Sequence, residues 1–503
     1  MSFAFRRGLP DWLAKISADI QAEARGMGLD FWSLCFELLD ADELNEVAAY
    51  GGFPTRYPHW KWGMEYEQLA KSYTYGLSKI YELVINNDPC YAYLMKANSL
   101  VDQKLVIAHV CGHADFFKNN LWFAHTNRKM MDQMANHGTR IRRYAERVGH
   151  EQVERFIDAC LSVDNLIDIH SPFIKRRRDK RSEEEAEEEL HRARRAGPRK
   201  LPSKEYMDRY VNPPEFLEAQ QRKLDAAVER SKHFPEQPER DIMLFLLEHA
   251  PLERWQRDIL GMLREEAYYF APQAMTKVMN EGWASFWHSR LMTERIVNDA
   301  EVIDYADRHA GTMGTQPGVL NPYKLGIELF RDIEERWNKG KFGPEWDACE
   351  DAAERRAWDR QLGRGKEKIF EVRRIYNDVL FIDEYLTVDF AREQKLFTFE
   401  YSKQSDEYVI ASREFQQIKE KLLFQLTNWG NPVISVVDGN YENRGELYLL
   451  HRHDGMDLKL DHGKDTLENV QRIWTRPVHL ETTIERRRKV FTYNGRKHSD
   501  RTL

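Results

Sequence analysis

The sequence predicts an α+β protein, with a large, mostly helical domain followed by a small α+β domain. Three observations support this: apolar residues recur at helical spacing over much of residues 9–340, a charge-dense stretch interrupts them, and short β-rich runs appear only after Leu396. The predicted segments are 1–174 and 215–395 for the two halves of the helical domain, 175–214 for a charged insertion or linker, and 396–503 for the α+β domain.

The composition predicts a soluble chain without a membrane span. Of its 503 residues 42% are hydrophobic and 31% are charged, and the net charge is -7. The longest apolar run, Ile242 to Leu247, is far shorter than the roughly 20 residues of a membrane span, and the N-terminus lacks a signal-peptide core. Mild acidity gives no reason to expect nucleic acid as a partner. We therefore expect a cytoplasmic protein.

The first helical half contains an aromatic segment. Trp12, Ile16 and Ile20 follow one helix face, and we expect helices with short connections from about residue 9 to 170. Glycines and prolines break the aromatic segment 48–69, AAYGGFPTRYPHWKWGMEYEQL. This pattern predicts a structured loop that leads into a helix, and such a loop would either shape a substrate groove or fill a core between helices.

Two later regions depart from helical periodicity. The charge run at 175–200 reads KRRRDKR, then EEEAEEEL, then HRARRAGPRK, which cannot bury a face and predicts a solvated helix or an insertion. After Leu396, the runs FTFEY, EYVIA, NPVISVV and ELYLLHR predict strands. Amphipathic segments at 412–426 and 466–474 lie among them, so a ferredoxin-like sandwich is one arrangement that fits.

The clearest sign of chemistry is LVDQKLVIAHVCGHADFFKNN, residues 100–120. His109 and His113 are four residues apart, so a helix presents their side chains one turn apart on the same face, which suits chelation of one zinc ion. Asp102 shares this face but lies roughly 10 Å away along the axis. We therefore assign Asp102 a supporting or substrate-binding role.

A second segment, MNEGWASFWHSRLM at 279–292, places Glu281, Ser285 and His288 on one helix face. Its run Asn-Glu-Gly-Trp-Ala resembles the helix with which gluzincin peptidases supply their third zinc ligand. Two imidazoles and one carboxylate would leave a fourth position open, as catalytic sites do.

The predicted ligands of a divalent metal, with zinc preferred, are thus His109, His113 and Glu281, and Ser285 would support them. The alternative is a buried polar network in which the two histidines and the glutamate satisfy one another.

The usual general base is absent. Val110 follows His109, so HVCGH lacks the glutamate that activates water in HExxH enzymes. His288 is the first candidate to replace it, because it shares a helix face with Glu281. The other candidates for proton transfer or oxyanion binding are Asp115, Glu266 and Tyr269.

A cysteine nucleophile is an alternative. Cys90 follows a proline at an expected helix start, where the helix dipole would stabilise a thiolate. Cys111 lies between the two histidines in sequence but about 200° around a helix from His109, so it points away from their face. The five cysteines lack CxxC spacing and predict neither a disulfide framework nor a cysteine zinc site.

Four sequence blocks, taken in order, resemble the stage V sporulation protein R (SpoVR) family. They are AAYGGFPTRYPHWKWGMEYEQLAKSYTYGLSKIYELVINNDP, HVCGHADFFKNNLWFAHTNRKMMDQMANH, NEGWASFWHSRLM and NPYKLGIELFRDIEERW. The resemblance runs from near Leu9 to about Trp337 and continues more weakly afterwards. It implies a bacterial cytoplasmic protein linked to sporulation and to spore cortex peptidoglycan. It also implies a PrkA-type serine kinase and a von Willebrand-like protein as partners.

Three functions follow from these observations. In the first, a zincin-like helical domain carries a metal that acts on amide bonds of peptidoglycan stem peptides or their precursors, as an amidase, peptidase or amide transferase. In the second, the protein is a non-catalytic adaptor of a serine-kinase assembly and uses its charged run and its C-terminal domain as docking surfaces. In the third, Cys90 or Cys111 serves a cysteine-dependent amidotransferase.

Overall fold

A computed structural model describes residues 8–74, 82–174, 192, 197, 200–231, 234–314, 319–402 and 407–503. Apart from Arg192, Gly197 and Lys200, the charge run lies outside the described residues. Of the predicted insertion 175–214, the structure describes residues 192, 197 and 200–214. No helix in the described ranges combines the length and the apolar composition that crossing a bilayer requires.

The α-helices of the described residues are numbered in chain order. They are α1 (Asp11–Gly26), α2 (Ala41–Ala49), α3 (Trp60–Thr74), α4 (Leu100–Asn119), α5 (Met130–Val148), α6 (His150–Leu161), α7 (Asp208–Val211), α8 (Pro214–Ser231), α9 (Ile242–His249), α10 (Arg254–Met275), α11 (Lys277–Leu291), α12 (Val302–Thr312), α13 (Pro322–Lys339), α14 (Pro344–Asp347), α15 (Ala352–Ala357), α16 (Gly365–Ile375), α17 (Asp378–Tyr385), α18 (Val388–Glu393), α19 (Phe415–Leu426) and α20 (Leu460–Trp474). The strands are β1 (Leu34–Leu39), β2 (Glu82–Ile85), β3 (Cys90–Met95), β4 (Thr398–Ser402), β5 (Glu407–Ser412), β6 (Val433–Tyr441), β7 (Glu446–Arg452), β8 (Val478–Ile484), β9 (Arg487–Tyr493) and β10 (His498–Thr502).

The chain forms two compact units. The first comprises residues 1–148 and 269–430, and the second comprises residues 149–268 and 431–503. The sequence analysis placed 396–503 together, whereas the structure groups β4, β5 and α19 with the first unit. In the second unit, Glu239 and Val436 exchange two backbone hydrogen bonds of 2.9 and 2.7 Å. Such a pairing between residues far apart in sequence cannot be seen in local periodicity.

The sheet of the second unit has the strand order β10-β9-β8-β7-β6. Strands β7 and β8 are parallel and the other neighbours are antiparallel. Helix α20 buries Leu467, Val470 and Ile473 and contacts β8 and β9. A small α+β region at the C-terminus is therefore present. A ferredoxin-like sandwich is not, because a single helix lies between these strands and their order follows the chain.

The first unit contains a sheet that the sequence analysis did not predict, in a region expected to be helical. Its order is β1-β3-β2, with β1 and β3 parallel and in register from Leu34 opposite Cys90, and with β2 antiparallel to β3. Cys90 therefore begins a strand and not a helix. The runs LCFELL and CYAYLM are too short for apolar periodicity alone to separate a strand from a buried helix.

Helix α4 lies in the centre of the first unit. Its side chains are buried around nearly the whole circumference, as expected for a helix enclosed by others. At its start, Ser99 and Asp102 form a capping box: the Ser99 hydroxyl accepts from the backbone N–H of Asp102, and the Asp102 carboxylate accepts from that of Ser99.

Two close helix crossings hold α11 in place. A Cβ atom on Gly112 of α4 would lie 2.6 Å from Cα of Ala284 on α11, and a Cβ on Gly282 of α11 would overlap Gly326 of α13. Only glycine allows backbones to approach this closely. At the start of α11, Asp378 of α17 accepts from two backbone N–H groups, those of residues 278 and 279, at 2.8 Å each.

Candidate metal centre

Two imidazoles of α4 and one carboxylate of α11 meet in the core of the first unit. Nε2 of His109 and Nε2 of His113 each lie 3.5 Å from Oε2 of Glu281. All three side chains are buried, and their ligand atoms lie within 4.8 Å of one another. The structure thus brings together the three residues that the sequence analysis predicted as metal ligands.

The spacing fits a divalent metal better than a hydrogen-bonded network. Ligand atoms about 2.0–2.1 Å from a tetrahedral zinc ion lie roughly 3.3 Å apart, close to the 3.5 Å separating Oε2 of Glu281 from each Nε2. Hydrogen bonds of the N–H···O type are usually about 2.7–3.2 Å long. Oε2 of Glu281 is buried and forms no hydrogen bond within the described chain. A buried carboxylate oxygen in this position suits a cation.

The second carboxylate oxygen of Glu281 is already occupied. Lys277, one helical turn earlier, donates to Oε1 at 2.6 Å. Burial raises the pKa of Glu281, but His113, His109 and Lys277 outweigh it and hold the pKa well below its ordinary value. The side chain is therefore an ionised carboxylate with one oxygen facing the two imidazoles.

The Nδ1 atoms of both imidazoles also have polar partners. Nδ1 of His113 lies 2.9 Å from Oδ1 of Asn280, and Nδ1 of His109 lies 2.8 Å from Nδ1 of His288. Hydrogen bonds of this kind fix the tautomer and leave Nε2 for a metal. Asn280 belongs to the Asn-Glu-Gly-Trp-Ala motif, but no role was predicted for it; its position beside Glu281 was the available signal.

His288 extends this contact. Burial, then the nearby His109 and His309, hold the pKa of His288 well below its ordinary value, so the ring is neutral. Its Nε2 lies 3.3 Å from Nδ1 of His309 on α12, a residue that no sequence signal indicated. His288 thus contacts the imidazole of His109 directly, and its predicted role in proton transfer stays a prediction.

A cavity of about 870 Å³ reaches His109 and His288. Its walls include Leu105 of α4, Leu320, and Tyr323 of α13. The Tyr323 ring lies 6.2 Å from the His109 ring between centroids. The lining combines apolar side chains with polar and charged ones, Asp307 and Arg308 among them. The volume lies in the range of small-molecule sites.

Asp102 also lines this cavity. Its buried carboxylate pairs with Arg308 at 3.2 Å, and Arg308 is itself half-exposed. Asp102 therefore caps α4 and contributes to the cavity wall, and its predicted supporting or substrate-binding role stays a prediction.

The family model described as "SpoVR like protein" matches residues 9–431. The chain belongs to the SpoVR family. A second model, "SpoVR-like C-terminal domain", matches residues 432–485. A relative from Escherichia coli (strain K12), named "Uncharacterized protein YcgB", is 28% identical over 513 residues, which cover 95% of this chain and 93% of the relative. No solved structure matches.

In this SpoVR protein, Asp115 has hydrogen-bond partners other than His109, His113 and Glu281. The Trp283 indole N–H donates to its Oδ2 at 2.8 Å, the Asp30 backbone N–H donates to its Oδ1 at 2.7 Å, and Arg373 lies 3.4 Å away. Burial raises the pKa of Asp115 to about 6, although Arg373 opposes it. Asn119 also donates to Oδ1, at 3.3 Å. With these partners engaged, Asp115 anchors the helices, and it is not among the residues that line the cavity described above.

Three other residues that were predicted to belong to the site have different neighbours. The Tyr269 hydroxyl donates to the backbone oxygen of Asn86 at 3.2 Å, and the Tyr269 ring packs edge-on against Phe53. Glu266 is buried on α10 in the second unit. Ser285, between Glu281 and His288 on α11, is fully buried, and its hydroxyl forms no hydrogen bond within the described residues.

Neither cysteine has the setting of a nucleophile. Cys90 donates to the backbone oxygen of Ile85 at 3.2 Å, and burial raises its pKa to about 12. Burial also raises the pKa of Cys111 well above its ordinary value. Both side chains therefore stay protonated at neutral pH, whereas nucleophilic cysteines need the thiolate.

Proposed function

We propose that this SpoVR protein is a metal-dependent enzyme that makes or breaks amide bonds in peptidoglycan stem peptides or their precursors, in sporulation and spore cortex formation. One observation carries the proposal: Oε2 of Glu281 faces Nε2 of both His109 and His113 at 3.5 Å, in a buried cluster beside a cavity. The family's link to sporulation supports the process, and the site supports the chemistry.

The metal, preferably zinc, would act as a Lewis acid that polarises a substrate carbonyl. His109, His113 and Glu281 would hold it, in a zincin-like arrangement. Asn280 and His288 would keep the imidazoles oriented through their Nδ1 atoms. Three protein ligands leave room for substrate, which distinguishes catalytic zinc sites from structural ones.

The substrate would enter through the cavity at His109. Its volume of about 870 Å³ suits a short peptide or a comparable small molecule. Tyr323 and Leu320 offer apolar contact, and the half-exposed Arg308 offers a cation at the wall. The aromatic segment 48–69, which the sequence analysis also considered as a groove, does not contribute to this cavity.

Two amide reactions fit the site. In hydrolysis, the amide C–N bond breaks, water supplies hydroxyl to the carbonyl carbon, and a proton goes to the leaving nitrogen. In transfer, an amine forms the new C–N bond and its proton passes to the leaving amine. Val110, buried in the core, replaces the activating glutamate of HExxH enzymes, so the proposal includes amide transfer beside hydrolysis.

Cytoplasmic precursors are the proposed substrates, and a PrkA-type serine kinase and a von Willebrand-like protein are proposed partners, both from the family resemblance. The adaptor alternative would use the charge run and the C-terminal domain as docking surfaces, and most of the charge run lies outside the described residues.

The test uses the full chain, stripped with a chelator and then reconstituted with zinc. Stem peptides are incubated with and without an added amine, and mass spectrometry identifies hydrolysed or transferred products. We expect turnover only with metal, and its loss in Glu281→Gln but not in the matched control Glu446→Gln. Equal turnover in the stripped and reconstituted protein would contradict a metal-dependent reaction.

A further inference from the structure

A second cavity in the first unit shares no lining residue with the one at His109. It measures about 680 Å³, and its walls come from α2, the aromatic segment, the start of α3 and α5. We call it the aromatic cavity. Its lining includes Asp42, Glu46, Tyr50, Trp62 and Arg142.

Contacts within the protein hold the Trp62 ring at the wall of the aromatic cavity. The Trp62 indole N–H donates to the backbone oxygen of Tyr57 at 2.9 Å, and the two rings meet edge to face. The guanidinium of Arg56 lies 4.5 Å from the centre of the Trp62 ring. The protein's own arginine therefore already makes the cation–π contact that Trp62 offers, and the remaining charges decide what the cavity binds.

Two carboxylates on one wall lack partners. Asp42 and Glu46 stand one turn apart on α2, and neither forms a hydrogen bond or ion pair with any described residue. Glu43 beside them pairs with Lys96 at 3.3 Å. Burial and the charge of Glu43 raise the pKa of Glu46. Like charges four residues apart destabilise a helix, so a bound cation would reduce the repulsion between Asp42 and Glu46.

A positively charged side chain, Arg142, lines the same cavity. Arg142 of α5 donates to the backbone oxygen of Arg56 at 3.3 Å and pairs with no carboxylate of the described residues. The charges of Glu46 and Arg142 both act on the Tyr50 hydroxyl: burial and Glu46 raise its pKa, and Arg142 lowers it. Glu46 and Arg142 thus present opposite charges to one hydroxyl.

We propose that the aromatic cavity binds a small diamino monocarboxylic acid of the lysine class. Its α-ammonium and α-carboxylate lie between Glu46 and Arg142, and its second ammonium faces Asp42 at the exposed rim. Asp42, Glu46 and Arg142 together carry one net negative charge, which matches the single net positive charge of lysine. The site goes beyond the amide chemistry proposed above, and neither proposal depends on the other.

The test measures binding of L-lysine to the full chain by calorimetry. Three charged contacts in a partly open cavity predict a Kd on the order of 1 mM. Lysinamide, which lacks the carboxylate, should bind about tenfold more weakly, and L-glutamate should bind more weakly still. Nε-acetyl-lysine should lose only roughly threefold, because Asp42 is exposed to water.

Variants locate the site. Glu46→Gln and Arg142→Gln should each weaken L-lysine binding about tenfold, whereas the matched control Glu65→Gln on α3 should leave it unchanged. All variants should keep their helicity and their metal content. No binding of L-lysine by the wild type would overturn the proposal, and so would binding that is equal in Glu46→Gln, Arg142→Gln and the control.

Discussion

Two histidine–glutamate arrangements in this protein differ in one distance. In the helical unit, Glu281 Oε2 lies 3.5 Å from Nε2 of both His109 and His113. In the C-terminal sheet, Nε2 of His479 lies 2.7 Å from Oε2 of Glu446. The first distance matches ligands around a metal ion, and the second matches a hydrogen bond.

The surroundings explain the difference. In the sheet, Arg444 donates to both carboxylate oxygens of Glu446, and Thr492 lies 2.8 Å from Nδ1 of His479, so each polar atom has a partner. In the helical unit, Lys277 engages one oxygen of Glu281 and leaves the other buried without a hydrogen bond in the described chain. A buried polar atom without a hydrogen bond is costly, and the metal proposed above would offset this cost at Oε2 of Glu281.

The largest effect is expected for Glu281→Gln. The amide keeps the shape of the side chain but removes its charge, so zinc affinity should fall more than the roughly 100-fold seen when an outer partner is lost. Competition with a chromogenic chelator measures the affinity. Glu446→Gln is the matched control, and an equal fall in both variants would remove the distinction between the two arrangements.

A smaller loss is expected for the groups that orient the imidazoles. Asn280→Ala removes the acceptor at Nδ1 of His113 and should weaken zinc binding about 10–100-fold. His288→Ala should act similarly through His109. His479→Ala in the sheet should leave zinc binding unchanged. The same competition assay reports all three, and unchanged affinity in Asn280→Ala and His288→Ala would argue against the assigned roles.

The close crossing of α11 with α13 holds Glu281 in place, and Gly282→Ala tests this packing. The added Cβ would overlap Gly326 on α13, so the free energy of unfolding should fall by about 1–3 kcal/mol. Gly261→Ala, within helix α10, meets only a side-chain atom at 3.9 Å and should be neutral or stabilising. Urea denaturation compares them. Equal stability of both variants would contradict the close packing of α11 against α13.

Two further effects are pH trends of opposite sign. Burial raises the folded-state pKa of Asp378 to about 7 from 3.8, so its contribution to stability is greatest below the unfolded value and falls as pH rises towards 7. Burial raises the pKa of Glu446, but Arg444 and His479 outweigh it and lower the pKa below 4.5, so its contribution is present above that value and is lost as pH falls.

Denaturation of the metal-free protein across this range separates the two trends. Asp378→Asn should cost less stability at pH 7.5 than at pH 5, by at most about 1.4 kcal/mol per pH unit. Glu446→Gln should cost less at low pH than at neutral pH. If the stability cost of both variants changed in the same direction with pH, the opposite pKa shifts of Asp378 and Glu446 would be contradicted.

Much of the site could be predicted because helical periodicity decides which side chains share a face. It placed His109 with His113, and Glu281 with His288. The likeness of Asn-Glu-Gly-Trp-Ala to a known zinc helix suggested that the two faces meet. The partners of Nδ1 could not be predicted, because they depend on how α4 and α11 rotate against each other where Gly112 meets Ala284.

The fold was less predictable where local pattern is ambiguous. The runs that form β1 and β3 fit a strand or a buried helix equally well, and the expected helix at Cys90 was wrong for that reason. The pairing of Glu239 with Val436 is long-range and leaves no local signature.

The most direct measurement is an anomalous difference map at the zinc edge, from crystals of the full chain grown with zinc. The account predicts one strong peak about 2.0–2.2 Å from Nε2 of His109, Nε2 of His113 and Oε2 of Glu281, absent in crystals of Glu281→Ala. A wild-type map with no peak there, and with Glu281 hydrogen-bonded directly to the two imidazoles, would contradict it.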